Sequence, residues 1–484
     1  MIKPSFKEAQ RYVADYGAIP VCLTLKGFKK TPAEVFLILK NISRQCFILE
    51  SVEDSDGRGR YTFLGYDPKL CIDCSDGSVT VSGGTRMKFD GSPKEHIKRV
   101  LDENRSPKIE GLPPFSGGLV GYFSYDYIKY SEPTLKLDAE DEESFKDADL
   151  MLFDKIVAYD HLEKSVKLIV NIKSDAIREN YNKAEEELRN IQRLIENGGS
   201  ADMKPLKLLT PFKELFDKDR YCEMVNEAKR HIKEGDIFQV VLSNRISADA
   251  EGNLFDAYLR LRESNPSPYM FYLSSDDLEI AGASPETLVK LVDGELSTFP
   301  LAGTRKRGAT KEEDDALEKE LLNDEKELAE HNMLVDLGRN DIGKISEFNS
   351  VKVKKYLSVL RFSHVMHIGS TVTGKIKKDK SALDAIDAVL PAGTLSGAPK
   401  IRACEIINRL ENNKRGIYGG AIGYIGFSGN MDTCIAIRIA FKKKGRVFVR
   451  SGAGIVADSV PEKEYEECAN KAKAVLNALT YKKS

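Results

Sequence analysis

The sequence predicts a fold of the α+β class, and three observations carry that prediction. The part up to about Ile195 alternates β-rich runs, such as VKLIVNI (Val166 to Ile172), with turns of Gly, Asp and Ser. It closes on a helical stretch whose apolar stripe is Ile177, Tyr181, Leu188, Ile191 and Leu194. Two further helical stretches lie in the second half. In DEKELAEHNMLVDLG (Asp324 to Gly338), Leu328, Leu334 and Leu337 form an apolar face and Gly338 reads as the stop. In DSVPEKEYEECANKAKAVL (Asp458 to Leu476), Asp458 or Ser459 reads as the cap, with Pro461 in the first turn.

At 484 residues the chain exceeds one ordinary hydrophobic core, and about 150 residues per domain suggests roughly three units or one large intertwined body. The Gly-, Ser- and Pro-rich stretch NGGSADMKPLKLLTP (Asn197 to Pro211) is the best linker, dividing residues 1–200 from 212–480. Across it, GGLVGYF (Gly117 to Phe123) is echoed by GGAIGYI (Gly419 to Ile425). That echo fits either an internal duplication or two similar tight turns.

Composition excludes several classes. Hydrophobic residues at 41% and charged ones at 31% describe a globular protein rather than a disordered or fibrous one. No window nears 18 uninterrupted apolar residues and the first residues lack an apolar core, so neither a membrane span nor a signal peptide is expected, and the cytoplasm follows. The 73 basic and 75 acidic residues are interspersed, which leaves no basic footprint for nucleic acid and points to a small-molecule ligand. The eight cysteines read as reduced thiols. Cys71 and Cys74 have no second pair to complete a zinc site, so they read as part of a strand and turn.

The chemistry-bearing signal is acidic. Glu327 and Glu330 share one helix face, and Glu464, Glu467 and Lys471 follow the same spacing on another. Alone, each pair is an ordinary solvated face. Converging, they would suit Mg²⁺, a hard ion that takes carboxylate oxygen and keeps water. Loops rich in Gly, Thr and Ser stand beside few positive charges in PLAGTRKRG (Pro300 to Gly308), LPAGTLSGAPK (Leu390 to Lys400) and RSGAGIVADS (Arg450 to Ser459). Such turns expose N–H groups to carboxylate or phosphate oxygens. None has the spacing of a nucleotide loop, so an anionic, phosphate-free substrate fits better.

Read in order from about Asp219 to Ala478, these segments resemble the chorismate-binding enzyme family, which includes anthranilate, aminodeoxychorismate, isochorismate and salicylate synthases. The ordered set is FQVVLS, NPSPYMFYL, GASPETL, PLAGTR, KELAEHNMLVDLGRND, HVMH, PAGTLSGAPK, YGGAIGY, DTCIAIR, SGAGIVADSVP and ECANKA. The resemblance implies a four-layer α/β/β/α fold with two orthogonally packed antiparallel sheets. It assigns chorismate contacts to Gly303, Thr304, Tyr418, Arg438, Gly452, Ala453, Gly454 and Lys471. It assigns Mg²⁺ to Glu330 and Glu467, with Glu327 and Glu464 as partners through water or directly. Glu286 matches the acid that protonates a departing hydroxyl, which requires a raised pKa. His367 matches the active-site histidine, with His364 earlier in the same motif, and Thr394 matches a hydroxyl that positions substrate for pyruvate elimination.

Two departures separate the branches of that family. Ala302 stands where aminodeoxychorismate synthases carry a lysine nucleophile, and Gln239 stands where water-using members carry a lysine base. Both favour ammonia as nucleophile, hence anthranilate and pyruvate through an aminodeoxyisochorismate intermediate. LES (Leu49 to Ser51) and RYTFLG (Arg60 to Gly65) resemble a tryptophan-sensing segment, completed by Pro268, Tyr269 and Met270, so feedback inhibition by tryptophan is expected. No cysteine is flanked as G-x-C-x-G, so ammonia is expected from glutamine through a separate amidotransferase subunit. A sibling synthase and a non-catalytic tryptophan-binding subunit remain the alternatives.

Overall fold

The computed structural model of the chain describes residues 2–51, 58–83, 85–90, 92–361 and 365–480. Its frame is two antiparallel sheets, one of 14 strands and one of 12. From the middle outward, one half of the larger sheet runs Cys46–Glu50, Tyr61–Tyr66, Lys155–Asp160, Ser165–Lys173 and Ala18–Lys26. The other half runs Tyr269–Ser274, Leu278–Ser284, Ile439–Lys443, Arg446–Ile455 and Gln239–Glu251. Each half thus places its strands in the same order, and the halves meet where Met270 pairs with Glu50.

The smaller sheet repeats the plan. Gly118–Phe123 and Ala148–Phe153 lie on one side, Ala421–Gly426 and Met431–Ile435 on the other. The two echoed segments are partners at this seam, with Gly121 directly opposite Gly423. A Cβ on Gly121 would lie 1.9 Å from the Asp149 carbonyl oxygen, and one on Gly423 would lie 2.1 Å from that of Asp432. The glycines therefore allow close approach of neighbouring strands. Of the two accounts of the echo, the strand order agrees with an internal duplication. All strands before Asn197 lie on one side of the two seams and all those after Pro211 on the other.

The faces are covered as period-two and period-3.6 patterning require. Phe47, Phe115, Val120, Ile169, Phe271, Ile422 and Phe441 fill the space between the sheets. Helices Pro32–Ile42, Ile177–Asn197, Phe255–Ser264 and Pro461–Thr480 cover the outside of the larger sheet. Helices Pro93–Glu103, Glu325–Gly343 and Ala382–Val389 cover the smaller. This is the α/β/β/α order expected, and the stripe Tyr181, Leu188 and Ile191 is buried as its spacing requires. Cys71 and Cys74 lie on one strand, Leu70–Ser75, followed by a turn.

Two local expectations fail. The helix capped by Asp324 does not stop at Gly338 but runs to Gly343. A Cβ at Gly338 would meet Thr298 Cγ2 at 3.1 Å, so this glycine serves close packing on the sheet, and buried Ile342 carries the apolar face onward. The last helix begins at Pro461, so neither Asp458 nor Ser459 is adjacent to its first residue. The Ser459 hydroxyl instead accepts from the Val456 N–H at 3.1 Å.

The close approach of the Asp149 strand to Gly121 gives a stability test. Gly121→Ala is expected to lower unfolding free energy by about 2–3 kcal/mol through overpacking against backbone. Gly343→Ala, whose new methyl group would have nothing within 4 Å, should be neutral or stabilise by up to about 1 kcal/mol. Denaturant midpoints compare the two.

Candidate active site

The site residues come from loops and helix faces along the second half. The strand Leu278–Ser284 of the larger sheet and Thr287–Val292 of the smaller are joined by only Pro285 and Glu286. Glu286 therefore sits on a crossover between sheets. Its carboxyl Oε1 accepts from the Thr394 hydroxyl at 3.2 Å. Burial pushes this carboxyl up to about 8, against smaller opposing effects of Thr394 and Lys471. It is thus protonated at neutral pH. Thr394 lies in the short 3₁₀ turn Gly393–Leu395, so residues 108 positions apart share one cavity wall.

His367 lies on strand Val365–Lys375, opposite Thr304. Its Nδ1 is 2.9 Å from the Gly303 carbonyl oxygen and 3.1 Å from the Thr304 hydroxyl. Burial lowers its pKa, the Gly303 bond opposes this, and Arg438 adds to the lowering. A neutral ring donating Nδ1–H to Gly303 keeps its lone pair on Nε2. Gly303 adopts φ +65°, and its absent side chain leaves room for Glu327, whose Oε2 would be 3.2 Å from a Cβ there. His364 lies outside the described residues.

Arg438 precedes strand Ile439–Lys443 and has φ 54°. Among the described residues no hydrogen bond or ion pair engages its guanidinium, although it is within electrostatic reach of Tyr418 and His367. Lys471 donates to the Gly452 carbonyl at 3.1 Å and pairs with Glu467 at 2.7 Å. Gly452 in turn lies against Tyr418, whose hydroxyl would be 3.0 Å from a Cβ there, and Gly454 lies against the Gln239 amide. Ala453 alternates to the other face. Its methyl is buried in the core with helices Lys218–Lys233 and Lys400–Glu411, so only its backbone is available to a ligand.

The glutamates of the two helices do approach one another. Burial raises the Glu330 carboxyl, and Glu327 and Glu467 raise it further against Lys471 and Lys326. Burial likewise raises Glu464, with Glu467 adding to it. Crowded carboxylates that destabilise each other's charge are a set that a hard cation would relieve, and their oxygens are the correct donors for Mg²⁺. Among the described residues, no three of these four carboxylates bring ligand atoms within 4.8 Å of one another. The one described cluster that does, His231, Glu234 and Asp236, is bound up with Arg402 and Arg409.

Sequence reading missed what lies under this wall. Glu411 is fully buried and accepts from Arg415 at 2.5 and 2.9 Å and from Arg450 at 2.9 Å. Burial works against its charge, but the two arginines overcome it and hold its pKa below the ordinary value. Arg415 also donates to the carbonyls of Leu395 and Val241, at 2.6 and 2.7 Å. It thereby fixes the turn bearing Thr394 to the strand that begins at Gln239. Glu411 and Arg415 stand four apart, a spacing shared with ordinary surface ion pairs, and Arg450 lies on a distant strand, so nothing local marked the three as a buried cluster.

A second cavity, of about 270 Å³, opens between the sheets at the seam. Ser51, Pro268, Tyr269 and Met270 all line it, with Glu50, Arg60, Tyr61, Phe63, Lys290 and Asp432. Met270 also packs on the helix side of the sheet with Ala281 and Tyr272. The Tyr269 hydroxyl donates to Asp432 at 2.7 Å. Glu50 is held by Tyr258 and by Arg262, the latter at 2.6 Å.

Three comparisons with known proteins place the chain in a family. The sequence pattern of the chorismate binding enzyme family matches residues 45–477. The chain belongs to the chorismate-binding enzyme family. Within it, the chain is 45% identical to "Anthranilate synthase component 1" of Acetivibrio thermocellus, covering 99% of each, and 43% identical to that of Aquifex aeolicus, covering 98% of this chain and 97% of the other. The crystal structure of anthranilate synthase component I from Streptococcus pneumoniae TIGR4 superposes with TM-score 0.74 at 40% identity, over 88% of this chain and 93% of that one. The menaquinone-specific isochorismate synthase MenF of Escherichia coli shares the fold, with TM-score 0.72 at 18% identity, over 98% of this chain and 99% of that one.

The buried charge cluster is directly testable. Glu411→Gln leaves two buried arginines without their counter-charge and is expected to cost about 3–5 kcal/mol of stability. Glu405→Gln, on the same helix with its carboxylate half-exposed beside Arg402, should change stability by less than about 1 kcal/mol. Chemical denaturation reads both.

Proposed function

We propose that this chain is the chorismate-using subunit of an anthranilate synthase, converting chorismate and ammonia to anthranilate and pyruvate. The observation that carries the reading is the protonated carboxyl of Glu286, bonded to Thr394 and within electrostatic reach of the Lys471 cation. A dianionic substrate with a hydroxyl leaving group calls for both: a fixed cation for a carboxylate and a proton donor for the hydroxyl. The family membership and the full-length similarity to anthranilate synthase component 1 proteins support the same reaction.

In this reading Arg438 and Lys471 hold substrate carboxylates, and the backbone of Gly303, Thr304, Gly452, Ala453 and Gly454 lines the anion with Tyr418 behind it. Glu286 gives its proton to the C4 hydroxyl as ammonia adds at C2. His367, neutral and oriented by Gly303, holds or relays a proton, and the Thr394 hydroxyl positions both Glu286 and the enolpyruvyl group for elimination. Glu330 and Glu467 would hold Mg²⁺, with Glu327 and Glu464 beside them, and the bound ion would neutralise the ring carboxylate. Ala302 offers no nucleophile and the Gln239 amide no base, which favours ammonia over an enzyme amine or water.

Residues 1–200 carry the first wall of the inter-sheet cavity and residues 212–480 the second wall and the active site. The cavity combines aromatic rings at Tyr61, Phe63 and Tyr424 with both signs of charge, at Arg60, Lys290 and Asp432. That combination suits a zwitterionic aromatic amino acid, so tryptophan is the inhibitor proposed. A separate glutamine amidotransferase subunit supplies ammonia, and the site of action is the cytoplasm. No helix among the described residues is long and apolar enough to cross a membrane.

Incubated with chorismate, Mg²⁺ and ammonium, the protein should release anthranilate and pyruvate, and EDTA should abolish turnover. Isochorismate, salicylate or aminodeoxychorismate as product would replace this reading by that of a sibling enzyme. Because the acid works only when protonated, kcat should fall as pH rises through about 8. Glu286→Gln should lose about 10²- to 10⁴-fold in kcat and lose that limb of the pH profile.

A further inference from the structure

A wall of the seam cavity is bonded to the residue beside the active-site acid. Tyr269 lines the cavity and pairs across strands with Ser284. Its hydroxyl carries one proton and donates it to Asp432, so at Thr287, 2.8 Å away, it accepts from the threonine hydroxyl. Asp432 is held from its other oxygen by Lys290 at 3.0 Å. Thr287 is the residue after Glu286 and starts the strand of the smaller sheet, at a register shift before Val289. Pro285 and Glu286 alone separate it from Ser284, whose hydroxyl donates to the Ile435 carbonyl at 2.7 Å. The Glu286 carbonyl accepts from the Ile435 N–H at 2.9 Å. The short crossover is pinned at both ends, and Tyr269 holds one end from the cavity side.

We propose that Tyr269 and Thr287 are positioning residues for Glu286, and that their hydroxyl pair is the link by which an occupant of the seam cavity acts on the active site. The second half of this statement rests on the reading of that cavity as an amino-acid inhibitor site. An occupant that moves the Tyr269 ring either pulls Thr287 with it or breaks the bond. Either event displaces the adjoining Glu286 peptide and turns its carboxyl away from Thr394. A donor must lie within hydrogen-bond reach of the leaving oxygen, and a misplacement of about 1 Å costs on the order of 10²-fold in rate. No movement of whole domains is required. The coupling is reciprocal, so substrate binding must also weaken occupancy of the cavity.

Thr287→Val is nearly isosteric, removes the hydroxyl and leaves the cavity lining intact. With wild-type protein, calorimetry reads tryptophan binding and anthranilate fluorescence reads inhibition. The variant should bind tryptophan within about twofold of wild type, while the concentration for half inhibition rises at least about tenfold. Its kcat, rather than its KM, should fall, and the alkaline limb of kcat should move. Tyr269→Phe, which deletes the same bond from the other side, should move that limb in the same direction, and Thr287→Ser should restore both the limb and inhibition. A purely structural role would lower stability without moving the limb. Inhibition of Thr287→Val at the wild-type concentration with an unmoved limb overturns the proposal. Absence of tryptophan binding to the wild type removes the inhibitor reading and the link with it, while the pH limb still decides the positioning roles.

Discussion

The arrangement depends on the pairing of the two halves of the chain across a seam in each sheet. Cys46–Glu50 lies against Tyr269–Ser274 in one, and Gly118–Phe123 against Ala421–Gly426 in the other. An unpaired strand edge in a buried core would leave a row of backbone groups without partners, so neither half can shed the other at low cost. Gly121 and Gly423 let each seam strand approach its outer neighbour closely, at Asp149 and Asp432. The cavity between the sheets lies at this junction and is walled by both halves.

The same construction explains why the active site stands off the seam, in the second half. The two sheets are linked there by a two-residue crossover, and that crossover bears Glu286. The carboxyl on this link lies in a cavity walled by the smaller sheet, the helix Glu325–Gly343 and the Thr394 turn, and the desolvation there keeps it protonated. Beneath it the Glu411, Arg415 and Arg450 cluster fixes the Thr394 turn and the strand facing Gly452 without exposing charge to the ligand. Buried ion clusters of this kind gain little net stability over apolar packing, so orientation of the wall is their more telling contribution.

Much of the site was legible because its elements are local. Glu327 with Glu330, and Glu464 with Lys471, share faces at fixed helical spacing. The Gly303, Gly452 and Gly454 turns are marked by their glycines, and the ordered motifs carry the family resemblance. The misreadings were local too. Gly338 resembles a helix stop, but tertiary packing against Thr298 keeps it inside the helix.

By itself the sequence determined the α+β class and the family to which the motifs belong. Only the tertiary structure decided that the echoed GGLVGYF and GGAIGYI segments are hydrogen-bonded neighbours. It alone brought the glutamates of two distant helices within electrostatic reach, enclosed Glu286 and bonded Tyr269 to Thr287. The physical reason is range: capping, periodicity and turn chemistry act over a few residues, whereas desolvation and hydrogen bonds between sheets depend on which distant segments share a volume.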